Sequence, residues 1–356
     1  MQSLPREKTR KIKVGNISIG GENKVLIQSM CNIKTSNVRE VVAQINECAA
    51  LGADLMRVSV LDIEDAKAIK EIVKEINIPL IADIHFDYRL AIESINSGVN
   101  AIRINPGNIG STENVKKVVS LCKEKHIPIR VGVNSGSIDK DVNNGTEKVP
   151  AKDLIESVKR TIKILEDLDF HDIVISLKGS HVLDTIEAYK LASQEFDYPL
   201  HIGVTEAGTT FCGLIKSGVG LGKLLLEGIG DTIRVALTGD PIEEVKTGIN
   251  ILKALNLKTG LDIISCPTCG RTKTNLIEIT NRIKDKLMKT SIRDKDIKIA
   301  VMGCAVNGPG EARNADFGIA CGKHEGLIFK RGEIIKKVPE EELVMEFINI
   351  ILQEVQ

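Results

Sequence analysis

The tightest grouping of reactive side chains in this sequence is Cys266-Pro-Thr-Cys269, and Cys304 and Cys321 follow it in the same C-terminal quarter. A two-residue spacer lets both thiolates point the same way while backbone amides face the sulfurs, which suits a metal. A redox dithiol also uses this spacing, but the thioredoxin-type context of an N-terminal strand feeding a helix is absent. A zinc site of this kind normally adds a second tight Cys or His pair. Only single cysteines follow here, so zinc through all four is the lesser reading. Three cysteines flanked by Pro and Gly suit an iron-sulfur cluster, whose inorganic sulfides the backbone must approach closely. Glu311 or Cys321 would fill the fourth position, and spacing alone does not choose between them.

A second constellation lies in the first 240 residues. Short apolar, β-branched runs mark strands at 25–30, 55–60, 79–85, 101–105, 128–134, 172–178, 200–206 and 231–238, with helical patterns between them. Eight β/α units in about 230 residues have the rhythm of a TIM barrel, with a doubly wound open sheet as the alternative. Residues two apart share a strand face. Arg57, Asp83, Arg103 with Asn105, Arg130 with Asn134, Ser176 with Lys178, His201, and Arg234 with Thr238 therefore fall on one parity, in step with Gln28 and Met30. The intervening Ile27, Val58, Ile84, Ile104, Val131, Leu177, Ile202 and Val235 suit packing against helices. With the polar parity inward, four arginines and a lysine converge at the barrel mouth. So many buried cations against so few carboxylates call for an anionic ligand. Arginine matches phosphate through bidentate contacts, so a small phosphorylated substrate, a diphosphate by the number of cations, is expected.

The elements that position these groups divide the chain into a TIM-barrel substrate domain over 1–257 and a cluster-bearing α+β domain over 258–356. The second domain is expected to hold a helix near 274–289, strands near 297–302, 316–321 and 326–331, and a helix near 340–354. The longest barrel connection, 136–150, is polar and follows the fifth strand on the face where barrel sites lie. SGVGLGKLLLEGIGD (217–231) lacks the spacing of a phosphate loop and reads as a glycine-rich helix or loop.

Composition narrows the function classes. Lys plus Arg and Asp plus Glu each total 48 of 356 residues, so no global field favours nucleic acid or an acidic membrane. Three Tyr, seven Phe and no Trp give no stacking platform for bases. No apolar run reaches a membrane span, and the first residues resemble no signal peptide, so a cytoplasmic protein is expected. Two rivals remain at this stage. One is a zinc-stabilised phosphosugar isomerase or aldolase, and the other an iron-sulfur sensing regulator.

QSMCN (28–32), MRVSV (56–60), PLIADIHFDYRLA (79–91), IRINPGNIG (102–110), RVGVNSGS (130–137), ISLKGSH (175–181), PLHIGVTEAGT (199–209), EGIGDTIRVALTGDP (227–241), SCPTCGR (265–271) and VMGCAVNGPGEARNADFGIACG (301–322) together carry a resemblance. Over nearly its whole length the sequence resembles the bacterial 4-hydroxy-3-methylbut-2-en-1-yl diphosphate synthases of the methylerythritol phosphate route to isoprenoids. Ile33, where many members have threonine, and Ala236, where serine is commoner, are small departures. The resemblance implies reductive ring opening and dehydration of 2-C-methyl-D-erythritol 2,4-cyclodiphosphate to 4-hydroxy-3-methylbut-2-enyl diphosphate. It implies a 4Fe-4S cluster held by Cys266, Cys269, Cys304 and Glu311. It also implies reduced flavodoxin or ferredoxin as electron donor, and a homodimer with the active site between subunits. On this reading Arg57, Arg103, Arg130, Lys178 and Arg234 bind the diphosphate, and Asn105, Asn134, Ser176 and Thr238 add hydrogen bonds. Glu206 is the expected proton donor or orienting carboxylate, with His201 and Asp83 as further candidates.

Overall fold

The computed structural model describes residues 4–22, 24–134, 151–179, 181–205, 207–272, 274–304, 310 and 312–355, the side chains of Asn134 and Lys178 excepted. Two compact units divide it, Met1–Leu257 and Lys258–Gln356.

The first unit begins with a short antiparallel hairpin, β1 (Ile12–Val14) and β2 (Ile17–Ile19), which the strand pattern above passes over. Its turn needs Gly15, which sits at φ +58°. Eight parallel strands follow: β3 (Leu26–Met30), β4 (Leu55–Ser59), β5 (Leu80–Asp83), β6 (Ala101–Ile104), β7 (Ile129–Asn134), β8 (Ile173–Lys178), β9 (His201–Val204) and β10 (Thr232–Val235). Their order is β8-β7-β6-β5-β4-β3-β10-β9, and a parallel bridge between Ile175 and Leu200 joins the two ends into a barrel. The (β/α)8 expectation holds.

Helices α1 (Val38–Leu51), α2 (Ile63–Glu75), α3 (Tyr88–Asn96), α4 (Thr112–Lys125), α5 (Ala151–Glu166), α6 (Val182–Glu195), α7 (Thr210–Leu226) and α8 (Pro241–Ala254) ring the barrel. Local chemistry starts several of them. The carboxylates of Asp62, Asp87 and Asp240 accept first-turn amides, and Pro241 occupies the first turn of α8. The glycine-rich stretch at 217–231 is helical as far as Leu226. Gly213 and Gly220 are where α7 presses on Leu237 and Val204, since an added Cβ would meet each at 2.6 Å.

Strand parity sorts the interior into two environments. Ile27, Val58, Ile84, Ile104, Val131, Leu177, Ile202 and Val235 all lie in the core between barrel and helices. Inside the barrel, Leu26, Leu55, Ile81 and Ala101 form a floor at the N-terminal ends of their strands, closed from below by Val14 and Ile19 of the hairpin. Above that floor the lumen is polar.

The second unit is a five-stranded mixed sheet in the order β11 (Asp262–Ser265), β12 (Lys298–Met302), β13 (Phe317–Cys321), β14 (Glu325–Lys330), β15 (Glu333–Pro339). The first three strands run parallel and the last two antiparallel. Helices α9 (Leu276–Leu287) and α10 (Glu340–Glu354) cover one face through Ile283, Leu287, Phe347 and Ile351 packed on Ile299, Val301 and Ile319. On the other face Ala312 and Ala315 lie against Ala300, Met302 and Phe329. Two strands, β11 and β15, go beyond the sequence expectation. The connection 136–150 lies outside the described residues.

Candidate active site and cluster ligands

Adjacent parallel strands bring the barrel cations side by side. Asp83 pairs in register with Arg103, and Arg103 with Arg130, while Arg57 pairs with Met30. Arg57, Asp83, Arg103 and Arg130 are all buried, at 4–5 % exposure. Asp83 is the hub: its Oδ1 lies 3.1 Å from Arg103 Nη1 and its Oδ2 lies 3.5 Å from Arg57 Nε. Arg103 can lie flat across β7 because Gly132 has no side chain, since a Cβ there would stand 2.5 Å from Arg103 Nε. His85, just beyond β5, is half exposed, with Nε2 3.6 Å from the same Asp83 oxygen.

The remaining partners are mostly uncharged. Arg57 donates from Nε and Nη2 to the thioether of Met30 at 3.1 and 2.9 Å, and sulfur is a poor acceptor. Arg130 Nη1 donates to Gln28 Oε1 at 2.8 Å. Arg130 Nε and Nη2, and Gln28 Nε2, are buried and find no partner among the described residues. Arg234, one-fifth exposed, shares its charge with Glu244, Nε to Oε2 being 3.3 Å.

Electrostatics record the crowding. Burial, with repulsion from Arg234 and Arg103 against the pull of Asp83, brings Arg57 down to about 10. Burial and repulsion from Arg57 also hold Arg130 well below its ordinary range. Burial alone would raise Asp83, but Arg57, Arg103 and Arg130 outweigh it and depress its pKa. Four guanidiniums face two carboxylates, Asp83 and Glu244, so two positive charges stand in surplus among the described residues.

The other expected residues are distributed around this cluster. Ser176 lies in the lumen, with Oγ 3.5 Å from the Val131 carbonyl. A cavity lined by Arg57, Ser176, His201, Thr205 and Arg234 opens beside it. His201 stands at the first residue of β9, its Nδ1 2.7 Å from Thr232 Oγ1, below the level of Arg234. Asn105 is half-buried just past β6, and Thr238 is exposed between β10 and α8. Glu206, Glu311 and the side chains of Asn134 and Lys178 lie outside the described residues.

Sequence reasoning missed Glu244. It sits on the buried stripe of α8 with Val245, Gly248 and Leu252, and a carboxylate on an otherwise apolar helix face was the available signal.

In the second unit, Cys266 and Cys304 leave the C-terminal ends of neighbouring parallel strands, β11 and β12. The Cys266 sulfur accepts the Gly303 amide at 3.1 Å. Cys269 is exposed, and the Arg271 amide, then the Arg271 side chain, hold its thiol below the ordinary range. Cys321 ends β13 inside the apolar core, where burial pushes its thiol up to about 11. Among the described residues no three His, Cys, Asp or Glu side chains are gathered as a ligand set.

Two family models cover the chain. The GcpE TIM-barrel domain matches residues 9–249 and the GcpE protein C-terminal domain matches residues 262–353. The chain belongs to the GcpE family. Among GcpE relatives, a protein of Clostridium perfringens is 60% identical over 98% of this chain and 99% of its own length. One of Fusobacterium nucleatum is 52% identical over 98% of both. Both are named 4-hydroxy-3-methylbut-2-en-1-yl diphosphate synthase (flavodoxin). Among solved structures, a Yersinia pestis dihydropteroate synthase with a sulfonamide drug superposes with a TM-score of 0.52 at 11% identity, covering 70% of this GcpE chain and 100% of its own. That likeness concerns the barrel fold alone. No described helix is long and apolar enough to cross a membrane.

Proposed function

We propose that this chain makes the product named in its GcpE relatives, 4-hydroxy-3-methylbut-2-enyl diphosphate, by two-electron reductive opening and dehydration of 2-C-methyl-D-erythritol 2,4-cyclodiphosphate. The observation that carries the substrate class is the surplus of buried guanidinium charge, with two Arg130 nitrogens that find no partner among the described residues. A diphosphate supplies both the missing charge and the missing acceptors. Arg57, Arg103, Arg130, Lys178 and Arg234 bind it, with hydrogen bonds from Asn105, Asn134, Ser176 and Thr238. Because the guanidiniums are already ordered on strands, they stabilise charge on the opening diphosphate without reorganising. Asp83 keeps Arg57 and Arg103 in place, and His201 lies at the cavity wall. Glu206, next to the end of β9, is the proposed proton donor.

Cys266, Cys269, Cys304 and Glu311 are the proposed ligands of a 4Fe-4S cluster. The donor set suits one, because Cys266 already accepts an amide at its sulfur and Cys269 is shifted toward thiolate, the form that binds iron. When bound, such a cluster supplies the electrons and a Lewis-acidic iron. Reduced flavodoxin, the donor in the relatives' names, delivers electrons to it, and the working form is a homodimer whose active site lies between subunits.

Anaerobic reconstitution with iron and sulfide, followed by turnover of the cyclic diphosphate with reduced flavodoxin, tests the reading. The expected result is a brown protein that releases the linear diphosphate. A fully loaded but inactive protein would overturn the proposed activity, and a colourless zinc protein would overturn the cluster.

A further inference from the structure

Glu244 is the one carboxylate besides Asp83 that faces the cation cluster among the described residues, and it reaches that cluster from the helix layer. It lies in the first turn of α8 and is 4 % exposed. Oε2 accepts the Ser29 hydroxyl at 2.7 Å and faces Arg234 Nε at 3.3 Å. Oε1 accepts the Leu237 amide at 3.0 Å and faces Arg234 Nη2 at 3.4 Å. Ser29 is on the outward parity of β3, between the inward Gln28 and Met30, so Glu244 grips Arg234 from behind the strands. Its two oxygens occupy the Nε–Nη2 edge of the guanidinium. The other corner, Nη1, meets only a thioether among the described residues, Met30 Sδ at 3.6 Å.

Arg234 has a reason to leave that position. It shares the lumen with Arg57 and Arg130, whose charged forms it disfavours, and at one-fifth exposure its side chain has a path to solvent. A carboxylate on the far edge opposes that repulsion and leaves one corner of the fork turned away from it. The same carboxylate ties down the Leu237 amide, and with it the segment that carries Thr238.

We propose that Glu244 is a positioning residue for the diphosphate site: it orients Arg234 by its Nε–Nη2 edge so that Nη1 is presented to substrate, and it holds the β10–α8 segment in register. This rests on the reading above that Arg234 binds the diphosphate. The alternative is a plain structural staple between α8, β3 and β10. The two differ in what they do to substrate affinity at constant foldedness.

The test is a double-mutant cycle on the reconstituted holoenzyme, reading KM, kcat and melting temperature for E244A, R234A and the pair, with E244Q and E244D alongside. E244A is expected to raise KM by about tenfold or more with kcat within about threefold. E244Q keeps the shape and the amide contact and should lie nearer the parent. E244D keeps the charge but withdraws it by one methylene, so it should raise KM while remaining folded should E244A not. In the R234A background the E244A effect on KM should shrink to the share that the Leu237–Thr238 segment carries. A lowered melting temperature with unchanged KM in E244A and E244D, or additive effects in the double variant, would overturn the proposal. An R234A enzyme with the parent's KM would overturn it together with the assignment of Arg234 to substrate, which separates the two failures.

Discussion

The arginine cluster of the barrel and the cysteine set of the second unit are built on opposite principles. Arg57, Asp83, Arg103 and Arg130 project from four consecutive strands, the last three at matched register and Arg57 one inward position lower beside Ile81, and all are almost fully buried. Cys266, Cys269 and Cys304 sit just past strand ends, half-buried or exposed. Backbone register preorganises the first site, so its chemistry is electrostatic and ready before substrate arrives. On the proposed reading, thiolates on loops are instead organised by the cluster that binds them, because ligand bonds supply the ordering free energy that packing does not.

Replacing Cys266 by Ser should break the two sites apart most completely. Turnover should fall to background and iron content with it, while inorganic diphosphate binding, measured by calorimetry, stays within about twofold because no barrel residue has changed. Loss of diphosphate affinity in that variant would show that the sites are not separately built. Arg130→Met comes next. KM should rise about 100-fold through loss of a buried charged donor. The unfolding free energy in urea should hold or increase, since a desolvated guanidinium with two nitrogens unpartnered among the described residues is replaced by an apolar chain of similar volume.

Asp83→Asn probes the same cluster from its anionic side. Removing the hub leaves Arg57 and Arg103 unopposed, and destabilisation of about 3–5 kcal/mol is expected from urea melts at pH 7. The pH dependence has a definite sign. The Asp83 pKa is depressed in the folded state, so its contribution is present above the unfolded value near 3.8 and lost as pH falls below it. Parent and variant stabilities should therefore converge in acid.

The opposite end of the barrel gives the smallest effect and the reverse sign. Asp231 is 1 % exposed, accepts the Thr9 hydroxyl at 2.8 Å and the Leu200 amide at 2.7 Å, and has one nearby cation, Arg6. Burial pushes it up to about 6. Stability from protonated Asp231 is full below about pH 4 and lost as pH rises through about 6, a change of roughly 2–3 kcal/mol. Asp231→Asn should flatten the stability profile over that interval.

The barrel was legible because strand parity admits only two faces: once Arg103 is assigned inward, Ile102 and Ile104 must face the helices. The lumen set follows from the same rule, and so do the neighbours Gln28 and Met30. Other features escaped for identifiable reasons. The hairpin β1–β2 carried a signal, since IKV and ISI flank Gly15-Asn16, a two-residue turn. β15 carries little alternation: Val338 is its one buried residue, and two lysines sit beside it. Glu244 escaped because its partner, Arg234, lies ten residues away on another element, and helical periodicity does not report what a carboxylate will meet. Strand parity sets Asp83 among the arginines but does not announce its pairing with two of them. That pairing coexists with the surplus, because one carboxylate cannot neutralise three neighbours.

One joint of the barrel has mechanical meaning. Among the described residues every other strand boundary is a ladder of register pairs, but β8 and β9 meet through a single bridge at Ile175 and Leu200 and the Ile175 amide to the Pro199 carbonyl at 2.9 Å. Tyr189, from α6, rivets that joint: its hydroxyl accepts the Leu177 amide at 2.9 Å and donates to the His201 carbonyl at 2.6 Å. A closed hoop with one thin weld is expected to open there first, so amide hydrogen exchange should be fastest along the β8–β9 line and faster still once the Tyr189 hydroxyl is removed.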